Sequence, residues 1–231
     1  MLSCVMPAVI MVSAGAAVEL LARGVAVGAF LALAIAVVRS ASGPARLSGQ
    51  LFSLAAAAHT LTQWPGPEIM TGPIVAVIWA FSVMGAGFFW AFAHDLFEDT
   101  KLDLRRFVPA VVLLAIGIAG GPDGARPSLW LLHNLVGGVL ALHVLFLVAM
   151  GWRGDLVEQR RRLRAPLLLA GVVYALVIIV VQTGEIFAGS AEALSPVAAA
   201  ALVALSLISM WAFGRVDPSL FATVEAQAPT E

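Results

Sequence analysis

The chain has 231 residues, 61% of them hydrophobic and only 12% charged, and its mean hydropathy is +0.98. That composition excludes an ordinary water-soluble globule, because too little polar surface remains to cover one. The net charge of −1 excludes a generally basic nucleic-acid surface, and the single cysteine, Cys4, excludes an intramolecular disulfide, a CxxC pair and a zinc finger.

A transmembrane helix needs about 20 apolar residues. Runs of that kind fall at 18–38, 47–64, 74–96, 107–121, 128–151, 166–187 and 195–214, which predicts seven crossings. Residues 1–17 are expected to form an extension or interfacial segment, 18–214 the seven-helix membrane domain, and 215–231 a flexible cytoplasmic tail. The N-terminus lacks the basic stretch of a cleaved signal peptide. An eighth crossing over Val5–Leu21 would leave only Gly24–Val38 for the next, with no turn between the two. Turn chemistry separates the other runs: Ser42-Gly43-Pro44, Pro65-Gly66-Pro67, Gly72-Pro73, Gly121-Pro122-Asp123-Gly124 and Ser195-Pro196. The fourth run is short, so its helix is expected to begin within 102–106, with its arginines snorkelling to the headgroups. Between the fifth and sixth runs, 155–164 alternates apolar and charged residues as an amphipathic helix does, with Glu158 and Arg162 one turn apart.

The basic residues sort by side. Arg39 and Arg46 follow the first run, Lys101, Arg105 and Arg106 the third, Arg153, Arg160, Arg161, Arg162 and Arg164 the fifth, and Arg215 the last. Arg126 alone lies on the opposite side, and Arg23 falls within the first run. Basic loops stay cytoplasmic. The pattern therefore predicts an all-α, polytopic seven-helix bundle in a bacterial inner membrane, with the N-terminus outside and the C-terminus in the cytoplasm. The Arg160–Arg164 cluster adjoins a crossing and suits anionic membrane lipid better than nucleic acid.

Three segments carry a resemblance. Phe89-Trp90-Ala91-Phe92-Ala93-His94-Asp95-Leu96-Phe97-Glu98-Asp99 ends the third run, Gly154-Asp155-Leu156-Val157-Glu158 precedes the arginine cluster, and Arg215-Val216-Asp217-Pro218-Ser219-Leu220-Phe221 follows the last run. Together they resemble the membrane-embedded N-terminal halves of bacterial AraC-type transcriptional regulators, over most of 18–221. The resemblance implies signal sensing within the membrane, with no particular ligand. That family continues into a double helix-turn-helix part that the residues up to Glu231 lack, so a DNA-binding role is expected to come from a partner rather than from direct nucleic-acid contact.

Polar residues are costly inside a membrane, which makes each a functional candidate. His59 lies five residues inside Trp64, His133 five inside Ser128 with Asn134 beside it, and Gln182 five inside Phe187. At 1.5 Å per residue each sits about 7–8 Å below the outer surface. His59 shares a helical face with Gln63, Tyr174 shares one with Gln182 and Glu185, and Glu19 and Arg23 pair near the same level. These residues are candidates for an outward-facing ligand site, for a metal held by His59, His133 and Glu185, or for plain hydrogen bonding between helices. No HxxxH or HExxH motif encodes a metal site locally. On the cytoplasmic side Trp90, His94 and Asp95, with Glu158 and Arg162, form either a switch or a wetted interfacial belt. His143, about 15 Å along the helix from His133, cannot share its ligand and is expected to bond to a neighbouring helix. Gly85 and Gly87, Gly137 and Gly138, Gly171 and Ala55–Ala58 predict close helix packing.

The expected function is a small-ligand sensor passing a signal to a cytoplasmic partner. The alternative is a structural or accessory subunit of a larger membrane complex. No nucleophile with a base at matched depth appears, so an enzyme is not expected. The only lysine, Lys101, lies in a loop, so a retinal protein is not expected either, and no cofactor is indicated.

Overall fold

The structure, a computed structural model, describes residues 14–40, 43–63, 72–97, 103–121 and 125–154, with scattered positions between 168 and 208. Among these residues the elements are all helical: α1 (Ala14–Ser40), α2 (Pro44–Thr62), α3 (Pro73–Val83), α4 (Gly85–Phe97), a 3-10 turn (Leu104–Phe107), α5 (Val108–Gly120) and α6 (Pro127–Gly154). The described positions within 166–187 and 195–214 are helical as well.

Local chemistry sets the helix ends. Gly43 and Gly72 adopt positive φ, and Pro44 and Pro73 follow at the first helical position, where a missing N–H leaves no bond unmade. The Asp103 carboxylate accepts the Arg105 N–H at 2.9 Å and starts the 3-10 turn that leads into α5, as the short fourth run predicts. Gly121, at φ 82°, closes α5.

α1 and α6 have 27 and 28 residues, each about 40 Å long. Both are long and apolar enough to cross a membrane, and α3 with α4 makes a third crossing if the two are one bent span. The run over 74–96 consists of two helices, because the axis bends by 52° between Val83 and Gly85. Glycine lacks the side-chain restriction that favours helix, and sharp kinks gather at such residues. Gly85 and Gly87 follow the break directly, and a tight Gly87 N–H to Met84 carbonyl bond of 3.0 Å marks it. Gly87 also meets α5 closely: a Cβ there would lie 2.4 Å from the Ala110 backbone.

α2 occupies the middle of the bundle, against α1, α3 and α4. Its small residues Gly49, Ser53 and Ala55–Ala58 are buried, so the packing expected of the alanine run is present. The Ser48, Ser53 and Thr60 hydroxyls each donate to the carbonyl four residues earlier, at 3.2, 2.8 and 2.8 Å. Those bonds satisfy polar atoms without water, so a helix of modest apolarity sits inside without cost to its hydroxyls. α5 has 13 residues, about 20 Å, less than the roughly 30 Å of hydrocarbon in a bilayer.

Around an apolar core that includes Phe30, Leu33 and Leu113, large apolar side chains also face outward and several polar ones lie inside. Val18, Leu21, Ile74, Leu135, Phe146 and Met150 are exposed, whereas Arg23, Asp95, Asn134, Ser48 and Thr60 are buried. Lipid accepts the first set and excludes the second. The interior is held by close contact, with Phe52 packed on Phe89 at 5.1 Å and on Phe92 at 6.0 Å between ring centres. In hydrocarbon such contact stabilises through dispersion rather than through removal from water.

Candidate functional site

The polar residues fall into two layers. The first lies at the end of the bundle that holds the C-terminus of α2 and the N-terminus of α6, the end that the charge pattern predicts to be outside. A helix C-terminus leaves carbonyls without intrahelical partners, and here side chains cover them. Arg23 of α1 donates to the Thr60 carbonyl at 3.1 Å and pairs with Glu19 at 2.8 Å. Thr62 donates its hydroxyl to the His59 carbonyl at 3.1 Å. Gln63 closes α2 through its backbone N–H to the same carbonyl.

The last turn of α3 joins this layer. His59 Nδ1 bonds Ser82 Oγ at 3.2 Å, and Thr62 Oγ1 bonds the same Ser82 oxygen at 2.8 Å. His133 of α6 donates from Nε2 to the Val83 carbonyl at 3.0 Å. Two histidines from two helices are thus anchored on consecutive residues at the break between α3 and α4. His59 Nε2 and His133 Nδ1 are buried and have no hydrogen-bond partner. Asn134, the next residue, is buried beside it. Trp130 packs on His133 at 5.2 Å and donates to the Gly121 carbonyl at 3.0 Å, tying α6 to the end of α5.

Of the candidates for an outer ligand site, the structure anchors His59 and His133 on consecutive residues of α3, with the Gln63 backbone on the His59 carbonyl and Asn134 next to His133. Tyr174, Gln182 and Glu185 lie outside the described residues, as do Glu158 and Arg162. Among the described residues no group of three or more His, Cys, Asp or Glu side chains is placed to hold a metal. Ser82 and Thr62 are the partners that sequence reasoning missed. A hydroxyl in an apolar run carries no distinguishing signal, since most such groups bond their own helix.

The second layer joins α4 to α6. Trp90 donates from Nε1 to His143 Nδ1 at 2.7 Å, and His94 stacks near both, 4.2 Å from Trp90 and 5.4 Å from His143 between ring centres. His143 is therefore bonded to a neighbouring helix, as expected. Asp95 corrects the wetted-belt alternative: its side chain is only 1% exposed and forms an ion pair with Arg106. Arg106 correspondingly turns inward instead of snorkelling, because a buried carboxylate needs a counter-charge. Replacing Trp90 with Phe keeps the packing and removes the N–H. Thermal unfolding in detergent should show a loss of about 1 kcal/mol, and the loss should vanish in a His143→Phe background.

The chain matches no protein-family model, no curated protein and no solved structure.

Proposed function

We propose that the chain is a seven-crossing protein of the bacterial inner membrane, N-terminus outside, that senses a small ligand at its outer polar layer and relays helix movement to a cytoplasmic partner. One observation carries this reading: two buried imidazole nitrogens without partners flank the break between α3 and α4. Buried polar groups are almost always satisfied, and an exception calls for a reason. A bend is also where two helix arrangements are easiest to reach. A ligand that bonds these nitrogens in only one arrangement shifts the balance by its differential affinity. α4 would carry the shift to Asp95 and Arg106, at the edge expected to be cytoplasmic.

The accessory-subunit reading has its own support. Gly24 and Gly28 are exposed on α1 with open space around them, a spacing that lets a second membrane helix approach closely. Thermal stability separates the two. A sensor is stabilised by some small polar compound through mass action, whereas a subunit is stabilised only by a copurifying membrane protein.

Topology is tested separately. Reporter fusions after Arg164 and Glu231 should be active only in the cytoplasm, and neutralising Arg160–Arg164 should weaken that orientation more than altering Arg126. Periplasmic activity at Glu231 would contradict the odd number of crossings.

A further inference from the structure

We propose that the layer joining α4 to α6 is a binding site for a flat, lipid-soluble carbonyl compound of the quinone class, whose oxygen accepts a hydrogen bond from His143 Nε2. The site is separate from the outer polar layer and does not depend on the sensing reading.

The proton positions come first. An indole N–H only donates, so the 2.7 Å contact from Trp90 requires a lone pair on His143 Nδ1. An imidazolium has no lone pair, so the ring is neutral and its one hydrogen sits on Nε2. Nε2 is therefore a fixed donor with nothing to offer a metal. His143 is exposed, and among the described residues the Trp90 indole is its only hydrogen-bond partner.

Depth decides what that donor meets. His143 stands sixteen residues from the Pro127 end of α6 and eleven from the Gly154 end, about 24 and 16 Å along the axis. The hydrocarbon layer is about 30 Å thick, so a centred α6 holds the imidazole about 10 Å inside the nearer edge. Water and the ester oxygens of lipid lie outside that depth. An N–H left unpaired in hydrocarbon is costly, and an acceptor that reaches it is correspondingly well held.

The surroundings select the acceptor. Trp90, His94 and Phe146 surround His143 with ring centres 5.9, 5.4 and 6.4 Å away, at interplanar angles of 27°, 28° and 22°. Such near-parallel rings give a flat molecule surfaces to pack on. A second helix fits less well. The exposed side of α6 carries the large side chains Leu135, Val139, Leu142, Phe146 and Met150. Its small residues are spent inside, where Gly137 faces Ala86 and Gly138 faces Ile179. Close helix approach needs small residues at the contact, whereas a flat ring has only to bring one oxygen to Nε2. A quinone combines that oxygen with an apolar ring and solubility in lipid.

The test uses the full chain in phosphatidylcholine nanodiscs, with its histidines labelled with nitrogen-15. The spectra should show His143 protonated on Nε2 and not on Nδ1. Duroquinone, a fully methylated benzoquinone, should shift the Nε2 resonance and raise the melting temperature in proportion to the logarithm of its concentration. Durene, the same methylated ring without carbonyls, should do neither. His143→Phe keeps a ring and removes the donor, and should weaken duroquinone binding about tenfold. Trp90→Phe, which keeps His143 but frees its hydrogen to move between the nitrogens, should weaken binding less and gives the same readout if the first variant fails to fold. Protonation of His143 on Nδ1 would overturn the proposal, and so would equal effects of duroquinone and durene. So would a copurifying membrane protein that shifts Nε2 while duroquinone does nothing, which would assign the donor to a partner helix. Correct protonation with neither compound acting would overturn it as well.

Discussion

Gly87→Ala is expected to destabilise the protein by about 3 kcal/mol, at the upper end for an overpacked site, while Gly85→Ala, two residues away, leaves stability unchanged or slightly raised. A Cβ at 87 would lie 2.4 Å from both the Cα and the N of Ala110, so relief requires α4 and α5 to separate. Backbone cannot swing aside as a side-chain tip can. At 85 the nearest atom is the Ala55 methyl at 3.8 Å, an ordinary contact. Alanine there also favours the helix, by up to about 1 kcal/mol. Reversible unfolding in mixed detergent micelles measures both. Equal costs would mean that α4 and α5 do not approach as closely as described.

Arg106→Met is expected to cost about 3–5 kcal/mol, because it leaves the Asp95 carboxylate buried without its counter-charge. The Asp95 and Arg106 side chains are 1% and 12% exposed, so little solvent screens the pair. The double variant Asp95→Leu with Arg106→Met should recover most of the loss, since an apolar pair of similar volume replaces a buried ion pair at small cost. The same unfolding measurement gives the cycle. An Arg106→Met cost below about 1 kcal/mol would identify an exposed pair instead. Because the pair joins the end of α4 to the turn before α5, these variants also report on the element proposed to carry the output.

The helix starts were legible because their causes are local. Gly43-Pro44 and Gly72-Pro73 open α2 and α3, and Asp103 opens the turn before α5, each through chemistry within a few residues. The break at Met84 was not, because the residues on both sides of it are apolar and hydropathy does not register a bend. Gly85 and Gly87 were visible as packing residues, yet which helix they meet depends on the tertiary arrangement. The two histidines of the outer layer were matched by depth, which a helical rise supplies. Their anchors, Ser82 and the Val83 carbonyl, belong to a third helix whose bend brings them into place. Asp95 and Arg106 sit eleven residues apart across a loop, and only packing makes them partners.

The central claim is that the bend between α3 and α4 has two arrangements whose balance a ligand at the outer layer shifts. Spin labels at Ile74 on α3 and Leu104 on the 3-10 turn, both more than two-thirds exposed, report it directly in a chain whose only native cysteine is replaced by Cys4→Ser. The distance distribution should hold two populations, and adding a small polar compound that raises the melting temperature should move weight from one to the other. The same shift should be lost in His133→Phe. A single distribution that stays unchanged while the compound is bound would mean a static kink, and the sensing account would then give way to that of an accessory subunit.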